Sequence, residues 1–155
     1  MITGQILGQF TSITTGLTVT DTSQFLQLVG ASNAVKVIEV RVNGAAGSSV
    51  LANAIRLVRG TGGAGGTGVL EREWVQGGPS ASVAVVEDAP TTEITAVDWE
   101  YTMGFNQVSE AVFLSTPAMQ LWLRPQDDLG VSIVDTDSLF LDCAVTWQEW
   151  AVSPI

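Results

Sequence analysis

Apolar and polar residues alternate with a period of two along much of this chain. From Thr95 to Gly104, Val97, Trp99, Tyr101 and Met103 fall on one face while Asp98, Glu100 and Thr102 fall on the other. Successive side chains of an extended backbone point to opposite faces, so this pattern predicts a half-buried strand. The run Leu139 to Trp147 alternates in the same way, with Leu139, Leu141, Cys143, Val145 and Trp147 opposed to Phe140, Asp142, Ala144 and Thr146. β-Branched content and flanking turn residues predict further strands at Gln5 to Phe10, Gly16 to Thr20, Phe25 to Val29, Val35 to Val42, Val69 to Val75, Ala81 to Glu87, Ala111 to Leu114, Met119 to Arg124 and Val131 to Val134. Asn43-Gly44 reads as the turn that closes the fourth of these. Many short strands at close intervals, punctuated by Gly, Pro, Asp and Asn, predict an all-β fold, an antiparallel sandwich or barrel.

Two segments carry a competing helical signal. Leu51, Ile55 and Val58 are spaced as on a helix behind Ser48 or Ser49 as a cap, although the β-branched content favours a strand over Ile55 to Arg59. Thr116-Pro117 can cap and start one helical turn, because proline is tolerated at the first helical position.

A length of 155 residues fits a single domain, 1–155, and no linker or internal repeat divides it. The chain is 46% hydrophobic and 14% charged, as globular domains are, and its apolar runs are too short to span a bilayer. Its start lacks the basic and apolar regions of a secretory signal, so the expectation is a protein that stays in the compartment where it is made until particle assembly and lysis release it. The net charge of −10, with six Lys and Arg in all, argues against nucleic acid as a partner. Residues 1 to 72 hold five cations against three acids, and residues 73 to 155 hold one against thirteen. Either the folded molecule is two-faced, with a basic side for an acidic partner, or strand interleaving mixes these charges.

Histidine is absent and Cys143 is the single cysteine, which excludes intrachain disulfides, zinc clusters and Ser-His or Cys-His catalysis. Cys143 lies in an alternating apolar run and reads as a small buried hydrophobe. Asp98 and Glu100 share a strand face, as the carboxylate pair of a glycosidase would, but nothing else in the sequence builds a sugar cleft around them. Asp127, Asp128, Asp135 and Asp137 sit in predicted turns and are candidate calcium ligands without EF-hand spacing. The expectation is a protein that is not an enzyme and has no cofactor.

Residues 60 to 68 hold six glycines in nine positions and fit the dinucleotide fingerprint G-x-G-x-x-G twice. Only eight residues, Val69 to Gln76, separate this run from the next break at Gly77-Gly78-Pro79, too few for the helix that a pyrophosphate site requires. The run therefore reads as a connection with little shape of its own, either mobile or ordered by a neighbouring subunit, at the end of a strand carrying Arg56 and Arg59. Trp122 and Trp150 fall out of phase with the apolar residues of their strands. With Arg56 and Arg59 they are the candidate interface residues. Few lysines guard the strand edges, so self-association is expected.

Three segments resemble small virion proteins of tailed bacteriophages: Ile55-Arg56-Leu57-Val58-Arg59-Gly60-Thr61-Gly62-Gly63, Leu121-Trp122-Leu123-Arg124-Pro125 and Ala144-Val145-Thr146-Trp147-Gln148-Glu149. The resemblance covers about half of the chain. It implies a jelly-roll-like β-sandwich that decorates or cements a capsid, with the major capsid protein as partner, a homo-oligomer with a trimer favoured, and the virion surface as its place. In that picture Met1 to Phe10 is an extended N-terminal arm that orders on binding. The alternative is a head-fibre or tail-associated module that binds host carbohydrate through exposed Trp and Asp in loops such as Pro125 to Gly130.

Overall fold

The computed structural model describes residues 4–30, 32–45, 52–74, 84–106 and 108–152. Twelve strands cover most of them: β1 (Gly4–Val19), β2 (Leu26–Val29), β3 (Ala34–Gly44), β4 (Ala52–Thr61), β5 (Thr67–Val69), β6 (Glu71–Glu73), β7 (Val85–Asp88), β8 (Ala96–Asn106), β9 (Ala111–Leu114), β10 (Leu121–Leu123), β11 (Asp128–Ile133) and β12 (Leu139–Val152). They form two antiparallel sheets. The first runs β10-β3-β12-β1-β6, with β9 pairing β3 beside β10, and the second runs β5-β7-β2-β11-β4-β8. Leaving out β5 to β7, the chain passes from sheet to sheet so that β1, β3, β9 with β10, and β12 build one, and β2, β4, β8 and β11 build the other. First and last long strands lie side by side through thirteen register pairs from Gly4–Val152 to Val19–Leu139. This order is that of a jelly roll, two interleaved Greek keys folded into a sandwich.

Of the two predicted alternating strands, β12 supplies the centre of the core, whereas β8 is the edge strand of the second sheet, with Val97 45% exposed and Trp99 and Tyr101 packed partly buried against that core. Leu139, Leu141, Cys143, Val145 and Trp147 are all 2% exposed or less. They face Ile55, Leu57, Leu129, Val131 and Ile133 of the opposite sheet, each fully buried. Phe10 packs on Trp147 with ring centroids 5.8 Å apart, and Phe113 meets Tyr101 edge-on at 5.7 Å. Burial raises the Cys143 thiol to about 12, so little thiolate forms at neutral pH and no reagent reaches it. The native protein is expected to resist a maleimide for hours and to react within minutes in strong denaturant, with mass spectrometry as the readout. Rapid native labelling would contradict this packing.

Several predicted boundaries shift for identifiable reasons. Gln5 to Phe10 and Gly16 to Thr20 belong to one strand, β1, which tolerates register shifts at Ile6/Gly8 and Thr14/Leu17. At the second shift Gly16 takes φ +70° and its N–H donates to Asp142 Oδ1 at 2.8 Å. Gly4 to Phe10 of the expected arm is thus inside the first sheet, paired with β12, and residues 1–3 lie outside the described residues. Val69 to Val75 is not one strand. The chain breaks at Leu70, so that β5 joins β7 in the second sheet and β6 joins β1 in the first. Asn43-Gly44 does not turn; it stays in β3, opposite Asp142 and Leu141. Ala52–Thr61 is strand, as the β-branched residues favoured, and Thr116-Pro117 starts no helix but a tight turn closed by a Thr116–Met119 bridge. The predicted strand at Ala81 to Glu87 appears as Val85–Asp88, with residues 81–83 outside the described set.

Candidate functional site

The glycine run opens the long excursion between β4 and β8, which crosses the end of the second sheet and adds edge strands to both sheets. Its course is fixed by its own chain, which corrects the expectation of a mobile loop or one ordered by a neighbour. Gly63 N–H donates to Asp128 Oδ2 at 3.0 Å, Gly66 N–H to Glu87 Oε2 at 3.0 Å, and Ala64 pairs with Thr92 in both directions. Close approach accounts for the glycines: a β-carbon on Gly63 would lie 2.6 Å from Gln27 Oε1, and one on Gly66 2.7 Å from the Asp88 carbonyl oxygen. The anionic partner of these N–H groups is a carboxylate of the protein. Asp128 is 4% exposed, takes a second N–H from Gly30 at 3.0 Å, and is raised above the usual carboxylate range by burial.

Arg59 lies in an ionic chain that ties strand ends of both sheets. Its Nε donates to Asp98 Oδ1 at 2.8 Å and its Nη1 to the Trp122 carbonyl at 2.9 Å. Asp98 also binds Arg124 at 2.9 Å, and Arg124 binds Asp127 at 2.9 Å. The Arg59 hydrogen bond holds the Asp98 carboxyl below its usual range. Asp98 is therefore one carboxylate of a four-residue ion-pair network, and Glu100 lies on the exposed outer face of β8. The ion pairs Arg41–Glu110 and Arg59–Asp98 join the basic half of the sequence to the acidic half, so interleaving is the arrangement that the fold adopts.

Trp122 and Trp150 meet on the outer face of the first sheet, edge to face at 5.5 Å, with Lys36 Nζ 5.7 Å from the Trp122 ring. Each half-covers the other, because β10 and β12 flank β3 and place them opposite Lys36 and Ala34. Arg56 lies on the outer face of the second sheet. The four candidate interface residues thus do not share one surface. The four candidate calcium ligands are divided as well: Asp128 pairs with Gly60 at one end of β4, whereas Asp137 Oδ2 accepts Asn53 Nδ2 at the other end. Six strand residues separate these ends, roughly 20 Å. Among the described residues no group of three acids, cysteines or histidines could hold a metal.

Three strongly exposed large apolar side chains gather elsewhere, at the β1/β6 edge. Leu70 is 74% exposed, Trp74 65% and Ile13 60%. Ile13, Leu70 and Arg72 line one groove with Thr11, and Arg72 and Trp74 line an adjoining one. Trp74 Nε1 donates to Thr11 Oγ1 at 2.7 Å, which lays its ring along the sheet edge. The sequence signal was available in Leu70, Arg72 and Trp74, which recur at every second position through a charged triplet. Strand spacing puts them on one face with nothing apolar behind them.

The described residues thus define a jelly-roll β-sandwich with a filled interior and an apolar ridge on one edge. No protein-family model and no curated protein matches the chain. Among solved structures, a chain from a marine algae virus of the order Picornavirales is similar over 98% of this chain and 71% of that one, at 10% identity and a TM-score of 0.33. A chain of the T13 infectious bursal disease virus particle is similar over 94% of this chain and 40% of its own, at 13% identity and TM-score 0.18. The Gx strain of that virus gives 100%, 42%, 13% and 0.17. The fold assignment rests on the strand order. No helix among the described residues is long and apolar enough to cross a membrane.

Proposed function

We propose that the chain is a non-enzymatic structural protein of a virus particle, a decoration or cement subunit that binds the outer capsid surface as a symmetric oligomer, with a trimer favoured. The observation that supports this reading is the ridge of Ile13, Leu70 and Trp74 at a sheet edge. Monomeric proteins seldom leave large apolar side chains grouped in this way, and burying them between subunits removes apolar area from water at about 25 cal/mol per Å². A partner bound only to the native, assembled form would stabilise the shell by mass action. Jelly rolls serve lectins and enzymes as well as capsids, so the fold alone does not choose among these. The carbohydrate alternative loses the acidic anchors of its Pro125 to Gly130 loop, because Asp127 and Asp128 are 3% and 4% exposed and bonded within the chain.

Light scattering at micromolar concentration tests the assembly. The expected result is a discrete oligomer that dissociates when Leu70 and Trp74 are both replaced by glutamate, with the fold intact because both side chains face solvent. A wild-type monomer would contradict the reading.

A further inference from the structure

The outer face of the second sheet holds a polar cleft of about 270 Å³ that the assembly reading does not use. Arg56 forms its floor. Ile55 and Leu57 on either side are fully buried, so strand alternation turns Arg56 outward. Its Nε reaches Ser132 Oγ at 3.4 Å, and among the described residues its two Nη groups meet no acceptor. Arg41, Arg59 and Arg124 each pair with a carboxylate; Arg56 pairs with none among the described residues. A second donor borders the same cleft. Gln24 is 8% exposed, and its Oε1 accepts Gln27 Nε2 at 2.7 Å and Ile94 N–H at 3.1 Å. Those two bonds fix the amide orientation and leave Nε2 with no acceptor among the described residues.

The rim has the opposite polarity. Glu93 and Glu100 line it, and Glu93 Oε1 already accepts the Gln24 N–H at 2.8 Å. A bare anion would be drawn by the floor and repelled by the rim. A ligand that carries its carboxylate on a short stem and presents N–H donors behind it satisfies both. No aromatic side chain lines the cleft, so it lacks the stacking face on which sugars settle.

We propose that this cleft binds an acidic side chain of an extended polypeptide segment. The carboxylate is held by the Arg56 guanidinium and the Gln24 amide, and the segment's backbone N–H groups are held by Glu93 and Glu100. Arg–carboxylate contacts of this kind are charge-assisted and can be bidentate, so they select Glu or Asp over Gln or Asn. This binding activity is separate from the ridge on the other sheet and stands or falls without it.

The test is an NMR titration of the isotopically labelled protein with capped Gly-Glu-Gly, Gly-Gln-Gly and Gly-Lys-Gly peptides, read at the Arg56 Nε and Gln24 side-chain signals. The glutamate peptide is expected to shift both, with saturation in the millimolar range, and Arg56→Gln is expected to weaken it about tenfold or more, as loss of a charge-assisted contact does. The glutamine peptide and acetate should bind several-fold more weakly. Should Arg56→Gln fail to fold, the wild type alone decides through salt, since raising ionic strength from about 0.02 to 0.5 M should weaken a charge-driven contact several-fold. Equal shifts from the glutamine peptide or acetate, tighter lysine binding, insensitivity to salt, or no shift at about ten millimolar would each overturn the proposal.

Discussion

Replacing Trp147 with alanine is expected to lower the unfolding free energy by about 3–5 kcal/mol, the range for deleting a large aromatic from a packed core. The indole is fully buried, packs tilted against Phe10, and lies with its Nε1 3.4 Å from Glu149 Oε1. Glu149 is itself 1% exposed and takes the Ala84 N–H at 2.8 Å and Asn33 Nδ2 at 3.1 Å. Its carboxyl group thus ties the part of the long excursion just before β7, and the turn before β3, to the last strand. Removing Trp147 opens a cavity and takes one donor from the buried Glu149 carboxyl group, and both effects act in the same direction. Trp74→Ala, on the exposed ridge, should change stability by no more than about 0.5 kcal/mol. Urea unfolding of the two variants measures the contrast. A Trp147→Ala loss below about 1 kcal/mol would mean that the sandwich centre is not where the strand register places it.

The second large effect separates a packed glycine loop from a loose one. Gly65→Ala should cost roughly 1–3 kcal/mol. Gly65 takes φ +81°, a region that L residues adopt at a penalty, and its β-carbon would fall on the Thr91 hydroxyl, whose oxygen lies 3.4 Å from the Gly65 carbonyl. Gly68→Ala is the control. Its β-carbon would meet Val85 Cγ1 at 3.7 Å, an ordinary contact, so the change should stay within about 0.5 kcal/mol. A loop without internal order would treat both substitutions alike.

Alternation made the central strand β12 and the edge strand β8 legible, because Leu139 to Trp147 and Val97 to Met103 span enough residues for a period of two to be unmistakable. Strands β5 and β6 have three residues each, too few for any period, and the switch between sheets at Leu70 is set by pairing with β7 and β1 far along the chain. Strand β1 reads as two pieces because Gly16 interrupts a Thr-rich run, yet a single bulge absorbs that glycine. Buried carboxylates were the least legible feature. Asp128 and Glu149 look like surface acids until Gly30, Gly63, Asn33 and Ala84 deliver N–H groups from 65 to 116 positions away. Trp122 and Trp150 were correctly placed on an outer face by parity. Parity does not report that a neighbour two strands away covers each of them.

The central claim is that this jelly roll assembles through its apolar edge and, so assembled, joins a viral shell, and co-sedimentation tests it most directly. The chain and its Leu70→Glu/Trp74→Glu variant are each mixed with shells formed by the major capsid protein of the same genome and run through a density gradient. The account predicts that the wild type travels with the shells at a fixed ratio to capsid subunits and that the variant, folded by circular dichroism, stays at the top. Wild-type protein that remains at the top, or a variant that binds as well as wild type, would contradict it.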